Sequence, residues 1–203
     1  MKISFYKNST NAKRGQPAGQ AGFTLVETLA AILLISVAIV APMGLTVQSI
    51  QGAFYARDQI TASNLAQEGI EAVRSVRDAN VISIALGNAT TKLFDGIPTT
   101  HPFRVDGTQI MPANIIPNDS CDGGCQALAT NGTLYGYPSD TGFTKPTIFT
   151  RTMTASVVWS DGSGVAQEIQ VTSTVTWKTA AYKKNTITLT ENLYNWIALG
   201  SGT

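Results

Sequence analysis

From Thr28 to Ala56 the chain holds no Asp, Glu, Lys or Arg. The hydrocarbon core of a bilayer is about 30 Å thick and takes roughly 20 apolar residues to cross as a helix. Leu29 to Val47 supplies most of that length, and Phe23, Leu25 and Val26 extend it toward the N-terminus. A helix buried in a soluble core is the alternative reading of the same stretch. Charged residues are only 13% of the chain, about half the usual quarter, and this gap is where the charge is missing. The 203 residues suffice for one globular core and fall short of two.

Charge divides unevenly about the gap. Lys2, Lys7, Lys13 and Arg14 stand before it with no acid, which leaves ten basic residues against thirteen acids beyond. Basic flanks stay on the cytoplasmic side, so the expected topology is single-pass through the cytoplasmic (inner) membrane. The N-terminus is then cytoplasmic and the C-terminal portion outside. A net acidic outer portion argues against nucleic acid as the main partner, because phosphate binding needs clustered Lys and Arg.

The order of features at Gln20-Ala21-Gly22-Phe23-Thr24-Leu25-Val26-Glu27 is not that of an ordinary secretory signal. Such a signal is cut at small residues after its apolar stretch, which is discarded. Here the small residue comes first. The segment resembles the prepilin signal of type IV pilins and pseudopilins: a basic leader ending in Gly, then an aromatic residue, a short apolar run, and Glu at the fifth mature position. Gly22, Phe23 and Glu27 fit those three places, although the 22-residue leader is longer than in many pilins.

The resemblance implies cleavage between Gly22 and Phe23 by a prepilin peptidase and N-methylation of Phe23. The apolar helix is then retained, as an anchor in membrane lipid before assembly and as part of a filament core afterwards. A carboxylate at the centre of a membrane helix costs about 2.5–3.5 kcal/mol on insertion scales, so Glu27 calls for a partner. In pilins that partner is the amino group at the first mature position of a neighbouring subunit, here Phe23. Solvation of Glu27 near the membrane surface is the alternative. Pro42 and Gly44 are expected to break or kink the helix, since proline removes a backbone donor and clashes with the carbonyl four residues back.

A second helical pattern follows, with Ile50, Phe54, Ala62, Leu65, Ala66, Ile70, Val73 and Val76 on one apolar stripe. Arg57, Asp58, Glu68, Glu71, Arg74, Arg77 and Asp78 lie opposite, with Arg74 and Asp78 spaced for an ion pair. Asn64 to Arg74 resembles minor pilins and pseudopilins. Residues 79–147 are punctuated by Pro98, Pro102, Pro112, Pro117, Pro138 and Pro146, which points to loops and short strands. Beyond them Ile169, Val171, Val175 and Trp177 alternate with polar residues, Ser173 being the one polar inward position, as in a half-buried strand. Phe149–Trp159 reads as its hairpin partner across Ser160-Asp161-Gly162-Ser163-Gly164, and Thr186–Leu193 as a third strand.

Catalytic signatures are lacking. His101 is the single histidine, flanked by Thr100 and Pro102, and no zinc, phosphate-loop or nucleophile-elbow motif occurs. The expectation is a non-enzyme without cofactor. Calcium held by Asp119, Asp122 and Asp140 in Gly-rich loops is the minor alternative, at a spacing that matches no EF-hand. Cys121 and Cys125 favour a local disulfide clip in an oxidising exterior, with two free thiols or redox chemistry as the other readings.

The expected fold is α+β, a long N-terminal transmembrane and amphipathic helix packed on a C-terminal antiparallel sheet. Its expected parts are a leader at 1–22, a membrane and filament-core helix at 23–47, an amphipathic helix at 48–78, a variable loop-rich region at 79–147, the sheet at 148–197 and a tail at 198–203. The resemblance implies a subunit of a type IV pilus-like extracellular filament, more a minor than a major one. Its partners would be the peptidase, other pilin subunits and a pilus or secretion assembly platform. A type II secretion pseudopilin, or a pilus-tip adhesin using 79–147, is the alternative.

Overall fold

The computed structural model describes residues 22–88, 90–109, 115–116, 121, 123–138, 142–179 and 183–196. The leader, Pro112, Pro117, Asp119, Asp122, Asp140 and the tail at 198–203 therefore lie outside the described residues, save Gly22 at the leader's end. The elements are one helix, α1 (Leu25–Ala85), and five strands, β1 (Ala127–Thr130), β2 (Tyr135–Gly136), β3 (Lys145–Ser160), β4 (Ala166–Lys178) and β5 (Lys184–Tyr194). The chain forms two compact units, Met1–Ile50 and Gln51–Thr203, with α1 contributing to both.

Both ends of α1 are set by local chemistry. At its start the Thr24 hydroxyl accepts a hydrogen bond from the Glu27 backbone N–H at 3.2 Å, an N-cap that satisfies one of the donors a first turn leaves unpaired. At its end Gly87 adopts a φ of 91°. Gly87 N–H donates to Ile84 O at 2.9 Å and Asn88 N–H to Ser83 O at 3.1 Å. That pair of bonds is a Schellman stop, for which a residue without a β-carbon is suited.

Two expectations about α1 need correction. Pro42 and Gly44 do not divide it, for Pro42 sits inside the one helix. A proline forfeits a single backbone bond, and the neighbouring turns retain theirs. Nor does the helix stop at 78. Ala79 to Ala85 contains no glycine or proline, so the first residue suited to a left-handed terminus is Gly87.

In the second unit the strands form one antiparallel sheet in the order β2-β1-β3-β4-β5. β3 begins at Lys145, earlier than expected, and β1 and β2 arise within the loop-rich stretch. On β4 the buried positions are Ile169, Val171, Ser173, Val175 and Trp177, the alternation read from the sequence. The helix covers this face in two clusters. Ala62, Leu65 and Ala66 pack with Leu128, Phe149, Val175 and Trp177, while Ile70, Val73 and Val76 pack with Met153, Ala155, Ile169 and Leu193. α1 thus runs along the sheet from its Trp177 end to its Ile169 end. The loop-rich stretch joins the second cluster through Ile97, Phe103, Val105 and Ile115, and Phe103 exchanges two 2.9 Å backbone bonds with Met153 on β3.

Ile50 and Phe54, expected on the buried stripe, are each 51% exposed, because the helix–sheet contact begins only at Ala62. Conversely Asp58, expected on the polar face, is buried and pairs with Arg57 at 2.9 Å. The sheet's other face is tiled with hydroxyls. Thr172 and Thr190 meet at 3.2 Å, and Thr174 and Thr188 at 3.4 Å, the cross-strand pairs that follow from side chains alternating about a pleat.

Candidate functional site

In the first unit every described side chain from Gly22 to Ile50 is exposed. Phe23, Leu25, Val26, Leu29, Ile32 and Leu33 therefore present apolar surface that no other described residue of this unit covers. A soluble protein rarely leaves contiguous apolar surface of this extent open to water, and α1 is long and apolar enough here to cross a membrane. Three of its hydroxyls are turned inward on their own backbone. Thr28 donates to Leu25 O at 2.8 Å, Ser36 to Ile32 O at 2.7 Å and Thr46 to Pro42 O at 3.1 Å, so none needs an outside partner in lipid. Glu27 is the single charged side chain among these described residues.

Glu27 occupies the third helical position, one turn after the Thr24 cap. The partial positive charge of a helix N-terminus favours an acid there. Thr24 was not singled out in the sequence, although Thr-x-x-Glu ahead of an apolar run is the signature of a capping box. The structure thus brings Gly22, Phe23, Thr24 and Glu27 together at one helix end. Pro42 and Gly44 lie farther along the same element.

The second unit seats its part of α1 through a polar node that sequence reasoning also missed. Arg151 on β3 is 1% exposed. It donates through one terminal nitrogen to Leu65 O at 2.9 Å and Glu68 Oε1 at 3.1 Å, and through the other to Val105 O at 2.7 Å. One guanidinium thereby ties the helix, the central strand and the loop before β1. Its sequence signal was a charged residue at an inward position of an alternating strand, which is seldom tolerated unless paired. Directly above it, a β-carbon on Gly69 would lie 2.8 Å from Met153 Sδ and 3.0 Å from both Arg151 Cδ and Ser173 Oγ.

Arg74 pairs with Glu71 and with Glu191 on β5, and its hydrogen bond to Glu191 holds its pKa above the ordinary value. The expected Arg74–Asp78 pair does not form; Asp78 pairs with Arg77 at 2.7 Å. Arg74 is held instead between Glu71, one turn earlier on the helix, and Glu191 on β5. Beside the node, burial pushes the Tyr137 phenol above its usual range, and Arg104 lies 4.8 Å over that ring.

Cys121 and Cys125 are joined as a disulfide with their Cα atoms 4.7 Å apart. Gly124, at a φ of 103°, donates to Cys121 O at 2.6 Å and makes the turn between them. Cys121 N–H donates to Pro102 O at 2.9 Å, which ties this clip to the segment holding His101. His101 Nδ1 is 3.1 Å from the neighbouring Thr100 hydroxyl. Among the described residues no group of three or more His, Cys, Asp or Glu could hold a metal ion.

An apolar N-terminal helix, exposed along its described length, that continues into an α+β head is consistent with membrane insertion. Residues 17–41 match the prokaryotic N-terminal methylation motif. That motif, together with a helix packed on an antiparallel sheet, supports a type IV pilin-like protein and is consistent with the pilin fold. No curated protein and no solved structure matches it. The motif implies processing by a prepilin peptidase and assembly with other pilin subunits, and the apolar helix is consistent with membrane insertion.

Proposed function

We propose that the chain is a structural, minor subunit of an extracellular type IV pilus-like filament. The peptidase cleaves between Gly22 and Phe23, Phe23 is N-methylated, and the retained helix anchors the subunit in the inner membrane until an assembly platform extracts it. One observation carries this reading: the apolar surface from Phe23 to Ile50 is open along its length and bears a single acid, Glu27. Lipid covers such a surface before assembly and the same helix of neighbouring subunits covers it afterwards.

Within the bundle Glu27 pairs with the Phe23 amine of a neighbour. That amine has an unperturbed pKa near 8 and is mostly cationic at neutral pH. Each group offsets the other's desolvation, and the pair fixes the axial register. An adhesive role for 79–147 draws less support. The exposed large apolar side chains described there are Ile82, Leu86 and Leu134, whereas the exposed tryptophans are Trp159 and Trp196.

Glu27→Gln keeps size and polarity and removes the charge. It is expected to insert and be processed as the native chain is, yet to enter sheared filaments poorly. Incorporation at the native level contradicts the pairing.

A further inference from the structure

The charges on the head's sheet are sorted by end. Lys145 opens β3, Lys178 closes β4, and Lys183 and Lys184 stand at the start of β5; all four are exposed. The antiparallel pairing puts these positions at the same end of the sheet. The acids of the β3–β5 strands and the hairpin turn between β3 and β4, Asp161, Glu168 and Glu191, lie toward the opposite end, where Trp159 pairs with Glu168 and Val171 with Glu191. The lysine end is the Trp177 end, against which α1 first packs after entering the head at Gln51.

Two features of the lysine end are unexplained by the fold. Lys178 and Lys184 are register partners across β4 and β5, and like charges directly opposite repel. Among the described residues none of the four lysines forms an ion pair. Lys178 and Lys184 also border a shallow concavity of about 240 Å³, together with Ile148 and the hydroxyl-bearing Thr150 and Thr176. Two ammonium groups beside two hydroxyls suit the oxygens of a phosphodiester, and such charge-assisted bonds are strong.

The helix residues leading to this end carry the marks of a membrane surface. Phe54 and Tyr55 are exposed, and Arg57, the first basic residue after the apolar stretch, sits 5.3 Å over the Phe54 ring. Aromatic residues followed by basic ones favour the level of lipid headgroups.

We infer that the lysine end of the head is a binding surface for anionic phospholipid headgroups, engaged while the subunit waits in the membrane and released on extraction into the filament. The inference rests on the membrane-anchored reading of α1. Charge complementarity selects the occupant: among the described residues the four lysines form no ion pair, and a membrane-anchored chain meets a phosphate-bearing surface. Each lysine within a Debye length of an anionic surface raises occupancy about fivefold, so the contact favours retention without making it irreversible.

The test uses the full processed chain, one copy per nanodisc, in phosphatidylcholine alone or with phosphatidylglycerol. Amine labelling of Lys178 and Lys184 is followed by mass spectrometry, with Lys92, near the far end of α1, as internal reference. Phosphatidylglycerol is expected to slow labelling at both lysines about fivefold and to leave Lys92 unchanged. Lys178→Glu combined with Lys184→Glu is expected to abolish the lipid dependence of labelling at Lys183.

Equal labelling in the two lipids overturns the inference while leaving the anchor intact. Equal protection by inorganic phosphate over phosphatidylcholine overturns the assignment to headgroups. Protection that requires several copies per disc assigns the surface to another subunit instead. Failure of the chain to enter discs at all counts against the membrane reading and is seen separately, as absence from the disc fraction.

Discussion

Gly69 on α1 and Met153 on β3 approach so closely that a β-carbon on the glycine would sit 2.8 Å from the methionine sulfur. The glycine is what lets helix and sheet close over the Arg151 side chain. Gly69→Ala forces the two layers apart, and overpacking of this kind costs on the order of 1–3 kcal/mol. Gly52 is also helical, but a β-carbon there meets nothing within 4 Å. Gly52→Ala is therefore expected to stabilise, by up to about 1 kcal/mol, through helix propensity alone. Thermal melts of the two variants in detergent should move in opposite directions; a shift of the same sign in both contradicts the close-packing argument.

Arg151 and Glu68 are unequal partners in their ion pair. The guanidinium side chain is 1% exposed and the carboxylate side chain 38%. Arg151→Met leaves Leu65 O and Val105 O without this donor inside the head, and loss of a buried charged partner costs about 3 kcal/mol or more. Glu68→Gln keeps an acceptor beside water and should cost less than about 1 kcal/mol. Urea titrations compare them directly, and equal costs would show that the node does not rest on the backbone carbonyls.

The hairpin between β3 and β4 carries the clearest acid dependence. Asp161 Oδ1 accepts from Val165 N–H and Ser163 N–H, and Oδ2 from Gln167 Nε2, each at 2.9 Å. The Val165 bond chiefly, helped by the Ser163 and Gln167 bonds and opposed by partial desolvation, holds the carboxyl below the ordinary Asp value. Its folded pKa lies below its unfolded one, so its contribution is fully present above about pH 3.9 and is lost as pH falls through the lower folded value. The Ser163 and Val165 amide resonances should titrate with a midpoint beneath that of a free Asp, and Asp161→Asn should abolish the titration. A midpoint at or above the free value contradicts the three-donor geometry.

Where one signal dominated, the sequence was a sufficient guide. The charge gap marked the apolar helix, and the alternation from Ile169 to Trp177 marked β4, because a period of two with one dry face has few other solutions. The seat between them was not legible. Gly69 and Glu68 fall on a regular helical pattern, and Arg151 interrupts β3 as a lone charge, so only the approach of helix to strand reveals that the three belong together. Ile50 and Phe54 were misplaced for a related reason. Periodicity finds an apolar stripe but does not say where the sheet beneath it ends. Thr24 and Gly87 were readable from local chemistry, as a capping-box threonine and a terminal glycine.

The identity of the first residue of the membrane-extracted chain bears most directly on a helix that outlives its leader. N-terminal mass spectrometry of protein from cells with and without the prepilin peptidase should give methylated Phe23 in the first case and a chain that still carries its leader in the second. Material that keeps Met1 in both, or that starts beyond the apolar stretch, would contradict the retained, assembling helix on which the proposed function stands.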